Sequence, residues 1–371
     1  MASSLSFPRA TFAKLSPHPF LLSTLNPPPS AGAETATEGK RPNGRASHQA
    51  RKPHVNYSSL SHAHGSAVVR MGDTTVICGV RGEILPVSNI PHYRPQAGRP
   101  RIAAASRRVE EDGASAGLSV GVIDELRDYD LIVPNIELAT GCAPQFLPGV
   151  PPTTLAQTLS TRVYSLLHSC KILSVDDFRI WYTPPSAASN EEDHAMGSDG
   201  NPEDDENKEP SEPELMAYWT LYIDLLFLSL DGNPFDAAWA AVMAALRDTR
   251  LPQARWDPER EAIVCSRTES WALSVHGLPI ACTAAVFLEK ERHGLFAAAE
   301  EGRHWLLVDP DRFEEGLCQE KVTVVVDRSS SGSTILRALS KSGGTVIGSA
   351  HMKEFVQIAE RRWDEFRKAM G

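Results

Sequence analysis

The sequence predicts a fold of the α+β class, and three of its segments carry that prediction. Residues 222–230 form a nearly continuous apolar run ending at Asp231-Gly232, which predicts a strand buried on both faces. An alanine-rich helix is predicted directly after it, over residues 234–248. Residues 351–370 repeat apolar side chains at helical spacing and predict an amphipathic C-terminal helix.

The start of the alanine-rich helix is the first candidate site, because N–H groups at a helix N-terminus after a glycine turn can bind phosphate. Here Asn233 can cap the helix, and Pro234 suits its first position while removing a donor. Phe235 adds bulk and Asp236 adds a negative charge. No Ser, Thr, Lys or Arg stands within the turn. These residues favour an ordinary capped helix over a working anion site.

The composition fits a globular protein. The 371 residues are 42% hydrophobic, which suffices for one large or two ordinary domains. The longest apolar runs are shorter than the roughly 20 residues that a bilayer helix requires, so no membrane span is predicted. The six cysteines are scattered without a C-x-x-C pair. They are expected to be small buried hydrophobes in a reducing compartment, with neither a zinc site nor a disulfide framework.

The negative charge of the chain is concentrated in one segment. Residues 184–214 contain about eleven acidic residues and one lysine, so they account for the whole formal net charge of -10. They are rich in Pro, Ser, Asn and Gly, which predicts a disordered acidic insertion. We expect it to separate two halves of one folded unit, residues 41–183 and 215–371.

The N-terminal residues 1–40 allow two interpretations. Their Ser, Thr, Pro and Ala content, with no acid before Glu34, is typical of an organelle transit peptide, although several prolines disrupt an amphipathic helix. The alternative is an ordered arm that docks onto the domain. The apolar residues expected to dock are Phe7, Phe12, Leu15, Phe20, Leu21 and Leu22.

The remaining segments predict a succession of strands and helices. A hairpin of β-branched residues is expected at 67–80, closed by a Gly-Asp turn, and a strand at 130–138. A helix is expected at 155–173, with Arg162 on its polar side. Further strands are predicted at 174–181, 280–287, 305–308 and 322–326, and a helix at 333–340.

A basic segment at residues 91–116 is expected to be an exposed loop. Its arginines could contact RNA phosphates, or the segment could be a solvated insertion. The second interpretation is favoured because Tyr93 is the one aromatic residue there for base stacking. The arginines of the segment are Arg94, Arg99, Arg101, Arg107 and Arg108.

Two motifs and five later segments carry a family resemblance. Residues 41–45 read Arg-Pro-Asn-Gly-Arg, and residues 65–76 read Gly-Ser-Ala-Val-Val-Arg-Met-Gly-Asp-Thr-Thr-Val. They resemble the R-x-D-G-R and G-S-A-x-V-x-x-G-x-T-x-V patterns that open the RNase PH family. The segments that agree in order are 147–149, 277–281, 307–310, 322–327 and 341–344.

Within that family the chain is most similar to the non-catalytic ring subunits of the eukaryotic RNA exosome. The resemblance implies an RNase PH-like fold with duplicated β-α-β units, the ribosomal protein S5 domain 2-like arrangement, in which helices pack on mixed sheets. It also favours a docked N-terminal arm over a transit peptide.

The resemblance further implies that the chain is catalytically silent. Active family members cut RNA by phosphorolysis and hold inorganic phosphate with a Gly-Thr-Arg turn at a helix start. The matching turn here is Gly232, Asn233, Pro234, Phe235 and Asp236, so the Thr and Arg are missing and Asp236 would repel the nucleophile. No catalytic residue, metal or cofactor is therefore expected.

Acidic residues do follow the strand expected at 305–308. Without a phosphate site they cannot run the reaction, and we expect them on a solvated surface. They are Asp309, Asp311, Glu314 and Glu315.

The implied function is architectural. Six such domains would form a ring that passes RNA to a nuclease bound elsewhere. The implied partners are other RNase PH-like ring subunits, S1/KH-type cap subunits, the associated nuclease and RNA held through its phosphates without sequence reading. The expected location is the nucleus, including the nucleolus, and the cytoplasm.

The candidate RNA contacts are Arg94, Arg99, Arg101 and Arg162. Arg162 is included because related archaeal subunits carry arginines on this helix, although Thr161 or Ser165 could be the true equivalent. Two other functions stay open: an active phosphate-dependent 3′-to-5′ exoribonuclease, and an isolated RNA-binding protein in an organelle, which would require cleavage of the arm.

Overall fold

Two sheets with helices between them form the fold. The computed structural model describes residues 8–27, 39–93, 124–148, 151–184, 213–289, 303–329 and 332–371. Most of the predicted acidic insertion and basic loop, and Phe7 of the arm, lie outside these residues.

The described strands are β1 (Pro53–Tyr57), β2 (Gly65–Met71), β3 (Thr74–Pro86), β4 (Ile132–Leu138), β5 (Arg179–Tyr182), β6 (Glu214–Ser229), β7 (Arg250–Asp257), β8 (Ala262–Ala272), β9 (Ile280–Leu288), β10 (His304–Val308), β11 (Glu320–Arg328) and β12 (Thr334–Ser342). The described helices are α1 (Arg9–Leu15), α2 (Pro17–Leu25), α3 (Glu125–Asp128), α4 (Thr154–Cys170), α5 (Pro234–Asp248), α6 (Arg312–Leu317) and α7 (Ser349–Met370).

The first sheet is mixed and the second is antiparallel. The strand order in the first is β1-β2-β3-β6-β4, with β5 paired to the beginning of β6, and β4 runs parallel to β6. The order in the second is β10-β9-β11-β12. Strands β7 and β8 form a separate hairpin. The predicted α+β fold is confirmed, and one of its two larger sheets is mixed.

Helix α5 is the centre of the core. Every residue from Pro234 to Leu246 is buried, and the helix contacts β2 and β3 of the first sheet and β9 of the second. A helix that is apolar on all sides requires such surroundings, and its alanines allow both sheets to approach closely. Trp239 is fully buried and donates its indole N–H to the Pro279 carbonyl at 2.7 Å.

The prediction that the strand at 222–230 is buried on both faces is wrong, because alternate residues from Tyr222 to Leu228 are half-buried or exposed. Leu225 and Phe227 face the helices and are buried, whereas Leu226 is half-buried and Leu228 is 47% exposed. The described chain covers one face of this part of β6 and leaves the other face open.

Three other local predictions need correction. The segment at 333–340 is not a helix but part of β12, an edge strand whose Leu336 and Leu339 are about half exposed. Its leucine spacing fits a helix, but backbone pairing with β11 decides its conformation. The β7–β8 hairpin was not predicted. A 3₁₀ turn at Val175–Phe178 replaces the first half of the strand expected at 174–181.

The N-terminal arm forms α1 and α2, despite its prolines. Pro17 stands at the first position of α2, where a helix has no N–H partner to lose. Leu21 is fully buried against a small second core that includes Phe287 and Leu307. Leu15, which was expected to dock, is 67% exposed.

Helix α7 buries its predicted apolar stripe, including Phe355 and Phe366. It also buries Arg362, which was not predicted. Among the described helices, none has the length and hydropathy needed to cross a membrane.

Leu21→Ala tests the docking of the arm. Loss of a buried leucine side chain should weaken docking by about 2–5 kcal/mol, seen as faster amide hydrogen exchange throughout α1 and α2. The matched control is Leu15→Ala, where the side chain is 67% exposed and a change of about 0.5 kcal/mol at most is expected. Equal exchange in the two variants would contradict docking through Leu21.

Candidate functional site: the start of helix α5

The turn before α5 lies directly under the segment that follows β10. Gly232 has φ +74° and Asn233 has φ +48°, so two successive residues are left-handed. A Cβ at Gly232 would lie 2.5 Å from the Asp311 carbonyl carbon and 2.6 Å from the Pro310 oxygen. Glycine is therefore required both for the backbone conformation and for this close approach.

Asn233 occupies the N-cap position but does not cap the helix as predicted, because its side chain makes no capping hydrogen bond. Asn233 has a left-handed backbone, and its side-chain amide bonds to carboxylates instead of to the N–H groups of the helix. The Nδ2 group donates to Asp236 Oδ2 and to Asp309 Oδ1, both at 2.8 Å. The side chain thus joins two carboxylates across the turn.

Asp236 is used inside the protein. It is buried and accepts from the Thr283 N–H at 2.8 Å and the Thr283 hydroxyl at 2.7 Å, which ties α5 to β9. Burial raises the pKa of this carboxyl, while the hydrogen bonds from Asn233 and Thr283 act in the opposite direction. Asp236 therefore acts as a hydrogen-bond acceptor that holds the start of α5 against β9.

Asp309 lies 1% exposed beside the same turn, so the expectation of a solvated acid is wrong here. Arg51 donates to both of its carboxylate oxygens, Nε to Oδ2 at 2.9 Å and Nη2 to Oδ1 at 2.7 Å. Burial alone would raise the pKa of Asp309, but the hydrogen bonds and charge of Arg51 hold it well below its usual value. The carboxylate is ionised, and both of its oxygens accept hydrogen bonds from Arg51.

The guanidinium of Arg51 also holds the turn itself. Its Nη1 donates to the Asp231 carbonyl at 2.7 Å, and Nη2 reaches the Gly232 carbonyl at 3.4 Å. Burial lowers the pKa of Arg51, but the bond to Asp309 more than compensates and the net pKa is raised. The cation nearest the helix start is therefore already paired with a carboxylate of the chain.

Arg41 and Arg45 extend this arrangement to α6. Arg41 is 1% exposed and donates to Glu314 Oε2 at 3.2 Å and to the Val308 carbonyl at 2.6 Å. Arg45 donates to the Asp309 carbonyl at 2.9 Å. Burial lowers the pKa of Arg41 to about 10, so it remains charged at neutral pH.

Glu314 is fully buried, which again differs from the expected solvated acid. Burial raises the pKa of its carboxyl, and the charge of Arg41 lowers it in part. Glu314 and Asp311 also form a capping box at the start of α6. We call Arg41, Arg45, Arg51, Asp309 and Glu314 the arginine–carboxylate cluster.

The amino-acid sequence did not predict this cluster. The 41–45 motif and the Asp-x-x-Glu pattern at 311–314 were both readable, but nothing in either pattern showed that they meet in space. Arg51 lies in neither pattern, and no other sequence feature indicated that it would be buried beside an acid.

Arg162 lies against the opposite side of the turn. Its guanidinium carbon is 3.8 Å from the centre of the Phe235 ring, and Nη2 donates to the Thr323 hydroxyl at 3.2 Å. Burial lowers the pKa of Arg162, and the charge of Asp236 raises it in part. Thr161 and Ser165, the alternative equivalents, are exposed.

A cleft of about 220 Å³ opens beside Arg162, between α4 and the second sheet. Hydroxyl groups line it from both sides, including Ser165, Ser169 and Ser340. The other candidate RNA contacts, Arg94, Arg99 and Arg101, lie outside the described residues. Within the described ranges no group of three or more His, Cys, Asp or Glu side chains has an arrangement that could hold a metal ion.

The helix start is therefore closed from three directions. Pro234 contributes no N–H, Phe235 lies under Arg162, and Asp236 is bonded to β9. A phosphate entering here would have to displace Asp309 from Arg51 and approach two buried carboxylates. Neither step is favourable in a buried environment.

Comparisons with known proteins agree with this fold. The model of the 3′ exoribonuclease family, domain 1, called RNase_PH, matches residues 49–252. The exosome complex component rrp43 of Schizosaccharomyces pombe is 26% identical over 97% of this chain and 97% of its own length. The exosome complex component Rrp42 of Methanothermobacter thermautotrophicus is 23% identical over 86% of this chain and 85% of its own length.

Two solved structures share the fold. A chain of the Archaeoglobus fulgidus exosome with RNA bound to the active site gives a TM-score of 0.58 at 21% identity, covering 95% of this chain and 97% of that one. A chain of an archaeal exosome core gives a TM-score of 0.50 at 20% identity, covering 88% and 91%.

The match to the fission yeast protein confirms a resemblance that two parts of the sequence predict. The arm at 6–22 and residues 60–84 carry that resemblance, which is to the ring subunit called ribosomal RNA-processing protein forty-three in its fungal version.

Arg51→Ala tests the energetic weight of the cluster. Removing Arg51 leaves the buried Asp309 charge without its main partner, so the free energy of unfolding should fall by about 3–5 kcal/mol in urea titrations. The control is Arg70→Ala, which breaks a pair whose side chains are 63% and 85% exposed and should cost about 0.5 kcal/mol at most. Similar losses in both variants would contradict a special role for Arg51.

Asp309→Asn tests the same pair through pH. The folded-state pKa of Asp309 is lowered, so the pair stabilises the fold fully above about pH 3.9 and loses that effect as pH falls through the folded pKa. The variant should be less stable than the wild type at pH 7, and the difference should shrink by about 1 kcal/mol between pH 5 and pH 3.

The buried acid Glu314, whose pKa is raised, titrates in both proteins. The charge of Asp309 contributes to the raised pKa of Asp236, so Asp236 ionises more readily in the variant and offsets part of the change. Urea unfolding at each pH provides the measurement. A stability difference that grows on acidification would have the wrong sign for an ionised, paired Asp309.

Proposed function

Because the chain belongs to the 3′ exoribonuclease (RNase PH) family, we propose that it is a catalytically inactive ring subunit of an RNA exosome. In this function it supports 3′-to-5′ RNA processing and degradation, including ribosomal RNA maturation and messenger RNA turnover, by shaping the ring and its RNA channel. The relatives named as exosome components support this assignment, since one of them matches over 97% of both chains.

The closed start of α5 is the observation that carries the proposed inactivity. Phosphorolysis needs donors aimed at inorganic phosphate and a pocket that admits it. In this chain Asp309 accepts three hydrogen bonds from Arg51, one from the backbone N–H at 2.8 Å and two from the guanidinium. The donors of Arg51 that a phosphate would need are therefore already bonded to a carboxylate of the chain.

RNA contact is proposed through phosphates and without sequence reading. Arg162 is the described candidate, and Arg94, Arg99 and Arg101 are proposed with it. A guanidinium that packs on Phe235 and bonds Thr323 is held in one place, which suits a fixed contact on a channel wall. Non-specific binding of this kind should weaken steeply with salt.

The proposed partners are other RNase PH-like ring subunits, S1/KH-type cap subunits and an associated nuclease. The proposed locations are the nucleus, including the nucleolus, and the cytoplasm. The competing function is an active phosphate-dependent 3′-to-5′ exoribonuclease, which the family name favours and the closed turn disfavours.

A phosphorolysis assay separates the two functions. The chain purified alone should release no nucleoside diphosphates from single-stranded RNA when inorganic phosphate is added, because it has no phosphate site. A catalytically active member of the RNase PH family serves as the positive control. Phosphate-dependent release by this chain would overturn the inactive assignment. Loss of that release in an Arg51→Ala variant that circular dichroism shows to be folded would make Arg51 a phosphate ligand.

A further inference from the structure

A chain of three hydrogen bonds connects Arg162 to Asp236 through two threonines. Arg162 Nη2 donates to the Thr323 hydroxyl at 3.2 Å, and the Thr283 hydroxyl donates to Asp236 Oδ1 at 2.7 Å. The two hydroxyl oxygens lie 3.0 Å apart, so a third hydrogen bond joins them. We call Thr323 and Thr283 the threonine bridge. It links α4 to the start of α5 across β11 and β9.

The two ends of this chain fix the direction of every hydrogen bond in it. A guanidinium can only donate, and an ionised carboxylate can only accept. Because the Thr283 proton goes to Asp236, the Thr283 oxygen accepts from the Thr323 hydroxyl. The Thr323 oxygen in turn accepts from Arg162. Both threonines are buried, so a hydroxyl that turned away would lose its partner without gaining water.

The threonine bridge sets the direction of the Arg162 guanidinium. The guanidinium carbon lies 3.8 Å from the centre of the Phe235 ring, and such stacking fixes the distance from the ring more strongly than the rotation over it. A hydrogen bond is directional. Among the described residues, Thr323 is the one group that accepts a hydrogen bond from Arg162. Without its hydroxyl the guanidinium can turn over the ring.

Arg51 and Arg162 differ in how a carboxylate reaches them. Arg51 bonds Asp309 directly through two of its guanidinium nitrogens. Asp236 makes no direct bond to Arg162 within the described ranges, yet its charge opposes the lowering of the pKa of Arg162 by burial. The bridge therefore lets a carboxylate stabilise this cation while most of the donors of Arg162 stay available to a ligand.

Those donors lie at the cleft of about 220 Å³ between α4 and the second sheet, which Arg162 and Thr323 both line. The hydroxyl groups of Ser165, Ser169 and Ser340 also line it. A guanidinium and hydroxyl groups are the side-chain groups that donate to phosphate oxygens. The cleft thus has the chemistry of a phosphate contact, in contrast to the closed start of α5.

We propose that Thr323 and Thr283 are positioning residues, which hold the guanidinium of Arg162 in the direction that contacts a phosphate of single-stranded RNA in the cleft. The inference rests on the proposed function, because that function supplies the RNA. It also gives Asp236 a second role. The acid that helps to close the start of α5 orients, through two hydroxyl groups, the arginine on the other side of the turn.

Fluorescence anisotropy with the full purified chain and a labelled single-stranded oligouridine tests this role. Thr323→Val removes the hydroxyl and keeps the side-chain shape, Thr323→Ser keeps the hydroxyl, and Arg162→Ala removes the cation. The matched control is Thr220→Val, which alters a buried threonine on β6 whose hydroxyl has no hydrogen-bond partner among the described residues. Circular dichroism melting checks that each variant folds.

Thr323→Val should weaken RNA binding by about three- to tenfold, the range expected when one hydrogen bond of a charged group is lost. Thr323→Ser and Thr220→Val should bind as the wild type does. Arg162→Ala should weaken binding at least as much as Thr323→Val. Adding Thr323→Val to Arg162→Ala should change the affinity no further, because the bridge acts only through Arg162.

A second measurement needs no bridge variant and covers a Thr323→Val chain that does not fold. In NMR spectra of arginine-labelled wild type, the guanidinium signals of Arg162 are identified by their loss in Arg162→Ala. A guanidinium held by Thr323 should give separate Nη signals that shift when oligouridine is added. A single Nη signal averaged by rotation would overturn the positioning role.

The remaining outcomes separate this role from the proposed function. Wild-type affinity in Thr323→Val, with weaker binding in Arg162→Ala, would overturn the bridge and leave the RNA contact standing. Additive losses in the double variant would also overturn it, because the hydroxyl would then act independently of Arg162. Wild-type affinity in Arg162→Ala, or no RNA binding by the wild type, would contradict both the bridge and the RNA contact proposed for Arg162.

Discussion

The ion pair between Arg51 and Asp309 is the constraint on which the site depends. It joins the segment before β1 to the end of β10, and through the carbonyls of Asp231 and Gly232 it holds the turn that starts α5. A buried pair of this kind is favourable only when further hydrogen bonds satisfy both groups. Asn233 and the Arg51 backbone N–H complete the shell around Asp309.

This constraint has a functional consequence. A helix N-terminus that follows a strand and a glycine can bind an anion, and this chain has that backbone arrangement before α5. Groups of the chain itself occupy this site. Asp309 is bonded to Arg51, Pro234 has no N–H to donate, and Asp236 is bonded to β9. The same groups tie the segment before β1 to the turn that starts α5 and to the end of β10.

The sequence predicted the parts of this account that depend on local pattern. Pro234 and Asp236 indicated a closed turn, and the apolar spacing of α7 indicated its buried stripe. It could not predict Asp309 and Glu314 as buried acids, because their burial depends on pairing with Arg51 and Arg41, which are more than two hundred residues away in the sequence. The helix expected at 333–340 failed for a related reason, since pairing with β11 outweighed local spacing.

The central claim is that the start of α5 is closed to phosphate, and a phosphorus NMR titration of inorganic phosphate with the purified chain tests it most directly. The account predicts no saturable change in the phosphate signal, and no added protection from amide exchange in the turn at 231–236 when phosphate is present. Saturable binding with new protection of this turn would contradict the account. Its loss in an Arg51→Ala variant that is still folded would show that Arg51 releases Asp309 to hold phosphate.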